Sequence, residues 1–162
     1  MRGVRIALGS DHAGYELKST VAKHLVELGH EVIDLGTDSE ESVDYPAFCA
    51  ATGRVVVAGD AELGIVFGGS GQGEQIAANK VHGVRAALCC NEFMARLARE
   101  HNDANVLALG GRVLGRELAL AVVDVFLTTG FEGGRHERRV TQIAEIEREQ
   151  CALVAQKEDS SE

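Results

Sequence analysis

Apolar residues in this chain switch between two spacings. Short continuous runs alternate with longer stretches in which they recur every three or four positions. The first spacing predicts buried strands and the second amphipathic helices. Residues 4–8 (Val-Arg-Ile-Ala-Leu) read as a first strand that ends in Gly9-Ser10-Asp11-His12-Ala13-Gly14. A helix follows with Leu17, Val21, Leu25 and Leu28 on one face, and Gly29 is placed to end it. Residues 30–35 predict a second strand and residues 36–42 a polar loop. Asp44 then caps a helix that carries the only proline, Pro46, in its first turn and runs to about Ala58.

The uninterrupted run Leu63-Gly64-Ile65-Val66-Phe67 predicts a strand covered on both faces. It leads into a glycine-rich turn and a helix from about Glu74. Residues 84–89 predict a fourth strand. Asn91 caps the next helix, with Phe93, Met94 and Leu97 expected inward and an end near Glu100. Residues 106–109 predict a fifth strand, and Gly110-Gly111-Arg112 follows it. A helix over about 115–127 has Leu118, Val122 and Val125 at core spacing. A last helix, from His136 to about Ala155, carries Ile143, Ile146 and Val154, and residues 156–162 are expected to be a disordered tail.

Strands alternating with helices imply an α/β fold: a five-stranded parallel sheet with right-handed crossovers, covered on both faces. Ligands bind such sheets beyond the carboxyl ends of the strands. Asp11 and His12, the glycine turn and Arg112 all follow strands. His101 and Asn102 precede one, so they would have to reach the site from a helix end. The terminal helix exceeds what the sheet needs, and its apolar positions point to docking on a second copy.

The turn after the central strand, Gly68-Gly69-Ser70-Gly71-Gln72-Gly73-Glu74, holds four glycines in six residues. With so few Cβ atoms, backbone N–H groups can converge on an anion at the start of a helix. It reads as a bare tight turn, a nucleotide cradle or a catalytic loop. No Gly-Lys-Ser/Thr follows, which argues against a P-loop, whereas Gly69, Gly71 and Gly73 with Glu92 about 20 residues on keep a dinucleotide site open. Glu74 favours catalysis, because a carboxylate is a poor phosphate neighbour but a sensible base for a carbon-bound proton.

Composition narrows the setting. The chain has 162 residues, 45% of them hydrophobic and 25% charged, as in a soluble single-domain protein. No run reaches the ~20 apolar residues that span a bilayer, and no signal-peptide pattern opens the chain, so cytoplasm is expected and a membrane is not. Cys49, Cys89, Cys90 and Cys151 lack metal-ligand spacing and a disulfide framework. The net charge of −9 argues against nucleic acid as a partner and makes the basic cluster Arg135-His136-Glu137-Arg138-Arg139 informative. Arg135 and Arg139 lie four apart, so on a helix they point the same way. Together with Arg112 they read as a phosphate clamp, against the plainer alternative of a solvated face. Asp11-His12 is either an acid/base pair for hydroxyl and ring-oxygen protons or a capping aspartate beside an exposed histidine. His101 is either a general acid, with Asn102 anchoring a hydroxyl, or a histidine capping a helix C-terminus. His24, His30 and His82 stand alone and read as structural.

Several of these segments, in this order, resemble the type B ribose-5-phosphate isomerases: residues 9–14, 68–74 with Ile76-Ala77-Ala78-Asn79-Lys80, Arg85-Ala86-Ala87, Ala98-Arg99-Glu100-His101-Asn102 and Gly111-Arg112. The similarity runs from about residue 4 to 150. It implies a three-layer Rossmann-like sandwich over residues 1–155, a homodimer with active sites at the interface, and no metal or cofactor. It implies interconversion of ribose 5-phosphate and ribulose 5-phosphate in the pentose phosphate pathway. On this resemblance Asp11 and His12 contact substrate, and Gly69, Ser70, Gly71, Gln72 and Gly73 supply an anion hole. Ser70 would orient a hydroxyl, His101 would assist ring opening and Asn102 would bind sugar hydroxyls. Arg112, Arg135 and Arg139 would hold the phosphate, at least one of them from the partner. Many members carry a cysteine base where this chain has Gly68, and another branch carries a glutamate at the position of Glu74; the chain resembles that branch. A galactose-6-phosphate isomerase or a nucleotide-binding module are the alternatives.

Overall fold

The computed structural model describes residues 3–159. It contains β1 (Arg5–Ser10), α1 (Tyr15–Glu27), β2 (Glu31–Asp34), α2 (Tyr45–Val57), β3 (Leu63–Gly68), α3 (Gln72–Ala78), β4 (Ala86–Leu88), α4 (Glu92–Asn102), β5 (Val106–Gly110), α5 (Arg116–Thr128) and α6 (Arg135–Asp159). The five strands pair in parallel in the order β2-β1-β3-β5-β4, as the alternating pattern predicts. β3 lies in the middle with every residue buried.

Strand residues alternate in size as well as direction. Ile6 and Leu8, Ile65 and Phe67, and Leu107 and Leu109 face one layer with Leu17, Val21, Leu25 and Phe126. The opposite face of the same strands carries Ala7, Val66, Val106 and Ala108, packed with Cys49 and Val56. Gly9 and Gly64 extend this small-residue face. A Cβ on Gly9 would strike Thr52 Oγ1 and lie 2.9 Å from Phe48 O, and one on Gly64 would lie 3.0 Å from Val56 Cγ2. Helix α2 therefore sits close against the sheet, and the carboxyl ends of β1 and β3 open beside its first turn.

Local signals act much as expected. Asn91 Oδ1 accepts the Met94 N–H at 2.9 Å and starts α4. Gly29 takes a left-handed φ of 85°, and the His30 N–H reaches back to Leu25 O at 2.9 Å to close α1. Asp44 occupies the N-cap of α2 without a side-chain capping bond. Asn79 bonds both the N–H and the C=O of Ala86, at 2.8 and 3.0 Å, and so fixes the end of α3 to β4.

Four expectations need correction. Phe93 and Met94 are exposed, while Ala95 and Ala98 face the core, because α4 packs closely on α5 and only small side chains fit between them. Leu118 is also exposed; the buried stripe of α5 is Ala119, Val122, Val123 and Phe126, with Val125 half-buried. The last turn of α4 reaches Asn102, two residues beyond the expected end near Glu100, so His101 and Asn102 form the helix end itself. Helix α6 continues through Asp159, so residues 156–159 are helical; the remainder of the expected tail, residues 160–162, lies outside the described residues.

Phe126 is fully buried, and the Arg99 guanidinium carbon lies 5.5 Å from its ring centroid. Phe126→Ala should cost about 3–5 kcal/mol, the scale of a large core truncation. Leu118→Ala should cost less than about 1 kcal/mol. Urea denaturation of the two variants checks the assignment of the α5 core stripe.

Candidate active site

Three strand ends converge on one cleft of about 470 Å³, lined by Asp11, His12, Ala13, Tyr45, Gly69, Ser70, Gly73, Glu74, Arg112 and Val113. Asp11 and His12 follow β1, the glycine turn follows β3, and Arg112 follows β5. Asp11 is buried, and its Oδ1 accepts the Gly14 N–H at 3.0 Å, so it shapes the turn into α1 and lines the cleft as well. Nδ1 of His12 lies 3.2 Å from Val43 N and 3.3 Å from Val43 O, which holds the ring against the 36–44 loop in either tautomer.

Glu74 is the third residue of α3 and only 4% exposed. A Cβ added at Gly68 would fall onto the Glu74 Oε1 and Cδ atoms. The carboxylate thus fills the volume left by the missing side chain at 68. Burial raises its pKa above the ordinary carboxylate value, and the negative Asp11 adds to the rise; hydrogen bonds from the Glu74 and Gly71 N–H groups oppose it. Cys49 lies beneath the same spot. Burial, then the charges of Glu74 and Asp11, push its thiol up to about 12, so it stays protonated and supplies no base.

The glycine turn is partly self-satisfied. The Gln72 N–H donates to Ser70 Oγ at 3.2 Å, and the Gly71 N–H serves the Glu74 carboxylate. Among the described residues, the N–H groups of Gly69, Ser70 and Gly73 have no acceptor in the chain. These three are the donors left for an anion. Helix α3 spans seven residues, so individual N–H groups matter more here than its dipole. Gly71 needs its left-handed φ of 80°, and a Cβ at Gly73 would collide with the Tyr45 ring. Arg112 Nη1 lies 3.2 Å from where a Gly69 Cβ would be, which sets its guanidinium across the turn.

The remaining predicted site residues are not in this cleft. His101 and Asn102 end α4, before the amino end of β5, while the cleft lies beyond its carboxyl end. Five strand residues at about 3.3 Å each separate the two ends by roughly 16 Å. Within one chain, His101 and Asn102 therefore do not reach the glycine turn. His101 instead stacks on His136, with ring centroids 4.1 Å apart and planes 8° from parallel. Arg135 Nε lies 3.4 Å from His136 Nε2, which brings the amino end of α6 to the same place, and Arg139 is one turn further on. Asn102 borders a second hollow with Gln75, Asn79 and Ile143.

Two contributions escaped the sequence. Tyr45 lines the cleft, and only its position just before Pro46 at the start of α2 could have signalled it. Arg85 holds Asn102 O at 3.1 Å and Asp103 O at 2.8 Å, and Asp103 takes a left-handed φ of 45°. This clamp positions the end of α4 and hence His101. His24 pairs with Asp124 at 2.6 Å, and His30 Nδ1 accepts the Val4 N–H, in keeping with structural roles. Among the described residues, His101, Glu132 and His136 bring ligand-type atoms within 4.8 Å of one another. An ion would have to lie in both imidazole planes, and stacked, nearly parallel planes share no such point.

A parallel α/β sandwich with a buried carboxylate beside free amide donors defines a Rossmann-like protein equipped for proton transfer on an oxyanion-forming substrate. The family model described as Ribose/Galactose Isomerase matches residues 6–143, and the chain belongs to that family. A ribose-5-phosphate isomerase B from Mycobacterium tuberculosis (strain CDC 1551 / Oshkosh) is 52% identical over 152 residues, covering 91% of this chain and 93% of its own. One from Escherichia coli (strain K12) is 49% identical over 143 residues, covering 88% and 96%. The solved structure of ribose-5-phosphate isomerase B from Clostridium thermocellum superposes with a TM-score of 0.89 at 54% identity, covering 90% of this chain and 99% of that one.

Since Glu74 has a raised folded-state pKa, its stabilising contribution is present below the unfolded value of about 4.3 and is lost as pH rises through the folded value. Glu74→Gln, uncharged throughout, should therefore melt above the wild type at pH 8. The gap should close towards pH 4, as followed by scanning calorimetry.

Proposed function

We infer that the protein interconverts D-ribose 5-phosphate and D-ribulose 5-phosphate through an enediolate. The observation that carries this reading is the Glu74 carboxylate, seated in the space above Gly68 and bordering the same cleft as the unengaged N–H groups of Gly69, Ser70 and Gly73. Names of relatives at about 50% identity over most of the chain support the same substrate.

In this reading the open-chain sugar lies with C1 and C2 over the glycine turn. Glu74 takes the C2 proton, and the electron pair moves to make the C1–C2 double bond. The resulting oxyanion is held by the three amide donors and by Ser70. Glu74 then returns the proton to C1, leaving the carbonyl at C2. Asp11 and His12 handle hydroxyl protons. A positioned base contributes about 10²–10⁴-fold, and each anion-hole donor about 10²–10³-fold. Burial makes Glu74 a stronger base than a solvated carboxylate. Arg112 holds the phosphate from within the chain.

His101, Asn102, Arg135 and Arg139 enter from a second copy, so the working unit is a homodimer with each site shared. Two features support this: the separation of the two residue groups along the sheet, and the exposed apolar residues Phe93, Met94, Ile143, Ile146, Leu153 and Val154 on α4 and α6. The phosphorylated substrates do not cross bilayers, which puts the reaction in the cytoplasm. Neither cofactor nor metal is needed for the proton transfer.

Glu74→Gln should abolish exchange of the C2 proton of ribose 5-phosphate with deuterium oxide, read by NMR; persistent exchange would reject Glu74 as the base. A panel including galactose 6-phosphate tests the sugar chosen. Mixing Glu74→Gln with Arg135→Ala subunits, at substrate too dilute for the weakened Arg135→Ala sites to turn over, should restore up to about a quarter of wild-type activity, since half the dimers are mixed and each has one intact site. No recovery after verified subunit exchange would rule out the shared site.

A further inference from the structure

We propose that His136 is a positioning residue that holds the His101 ring in the orientation needed to open the cyclic sugar. The proposal rests on the reading of His101 as the ring-opening acid. His101 stands in the last turn of α4 and is half-buried, and an imidazole at a helix end is free to rotate about its outer torsion. A parallel ring at 4.1 Å removes that freedom on one face, because out-of-plane rotation would drive His101 into His136.

His136 is itself built in. It is 4% exposed, and its Nε2 lies 3.4 Å from Arg135 Nε and 3.5 Å from Glu132 Oε2, so either tautomer has a partner. The segment before it is tied to α4 by the Glu132 N–H bonding Glu100 O at 3.1 Å. Gly133 and Gly134 then take left-handed φ values of 65° and 55°, and the His136 N–H returns to Gly133 O at 3.0 Å. Successive left-handed residues suit glycine, and here they aim the first turn of α6 at the end of α4.

The charges around the ring favour neutral His136. Burial lowers its pKa most, and His101, Arg135 and Arg139 lower it further, against an opposing contribution from Glu132. A neutral plate can lie against His101 without adding a charge behind it.

The test separates ring opening from isomerisation. 2-Deoxyribose 5-phosphate opens and closes its ring but lacks the C2 hydroxyl that becomes the ketose carbonyl, so enzyme-catalysed exchange between its anomers reports ring opening alone. Saturation-transfer NMR should show that exchange lost in His101→Ala and reduced about 10-fold or more in His136→Leu, the scale of a misplaced group. His136→Phe, which keeps a flat face, should recover most of it, with KM for ribose 5-phosphate within about twofold in both variants. Wild-type exchange in His136→Leu, equal losses in Leu and Phe, or a change confined to KM would overturn the role of His136. Exchange that survives His101→Ala would instead overturn the ring-opening reading beneath it. In the unmodified protein, nuclear Overhauser contacts between the two rings should persist with 2-deoxyribose 5-phosphate bound. Their loss on binding would also overturn the proposal, whether or not the variants fold.

Discussion

The chemistry depends on an empty place in the backbone. Gly68 ends the central strand without a side chain, and the Glu74 carboxylate occupies the volume that any larger residue would claim. A side chain can occupy that point from residue 68 or from residue 74, but not from both in these positions. The carboxylate is buried and kept from full solvation, which raises its basicity at a cost in stability. Its neighbours are arranged around that cost. Two amides of the turn partly offset the charge, and three others have no acceptor among the described residues.

Sheet packing brings that turn to its position. One face of the three central strands carries small residues, so α2 lies close and delivers Tyr45 to the cleft wall. The other face carries large residues and forms the thicker core with α1 and α5. Parallel pairing brings the ends of β1, β3 and β5 to one edge, which is why Asp11, Glu74 and Arg112 meet although they are far apart in the chain. The same geometry sends the end of α4 to the opposite edge. Within one chain the cleft residues and the His101–His136 pair therefore lie at opposite ends of the sheet.

The far end of the sheet is organised with similar care. Arg85 and Arg99 brace the left-handed Asp103 at the end of α4, the paired glycines aim α6, and the stack of His101 on His136 joins the two elements. Support of this kind fixes the orientation of the side chains at the end of α4.

Much of this was legible in the residues. Alternating periods located every strand and helix, because burial on a sheet face or a helix stripe imposes spacing directly. The glycine turn, Glu74, Asp11, His12 and Arg112 could be picked out, since each follows a strand and the carboxyl edge of a parallel sheet is where ligands bind. Polarity alone does not set the inward face of α4, where size matters more: Ala95 and Ala98 fill a close helix contact that Phe93 and Met94 could not enter. The order of the chain determined the fold class and the chemistry available to it. Only the tertiary structure decided that the Glu74 carboxylate sits where residue 68 has no side chain, and that His101 lies beyond reach of that carboxylate in its own chain. Both are distances between segments remote in sequence, set by strand order and packing rather than by local pattern.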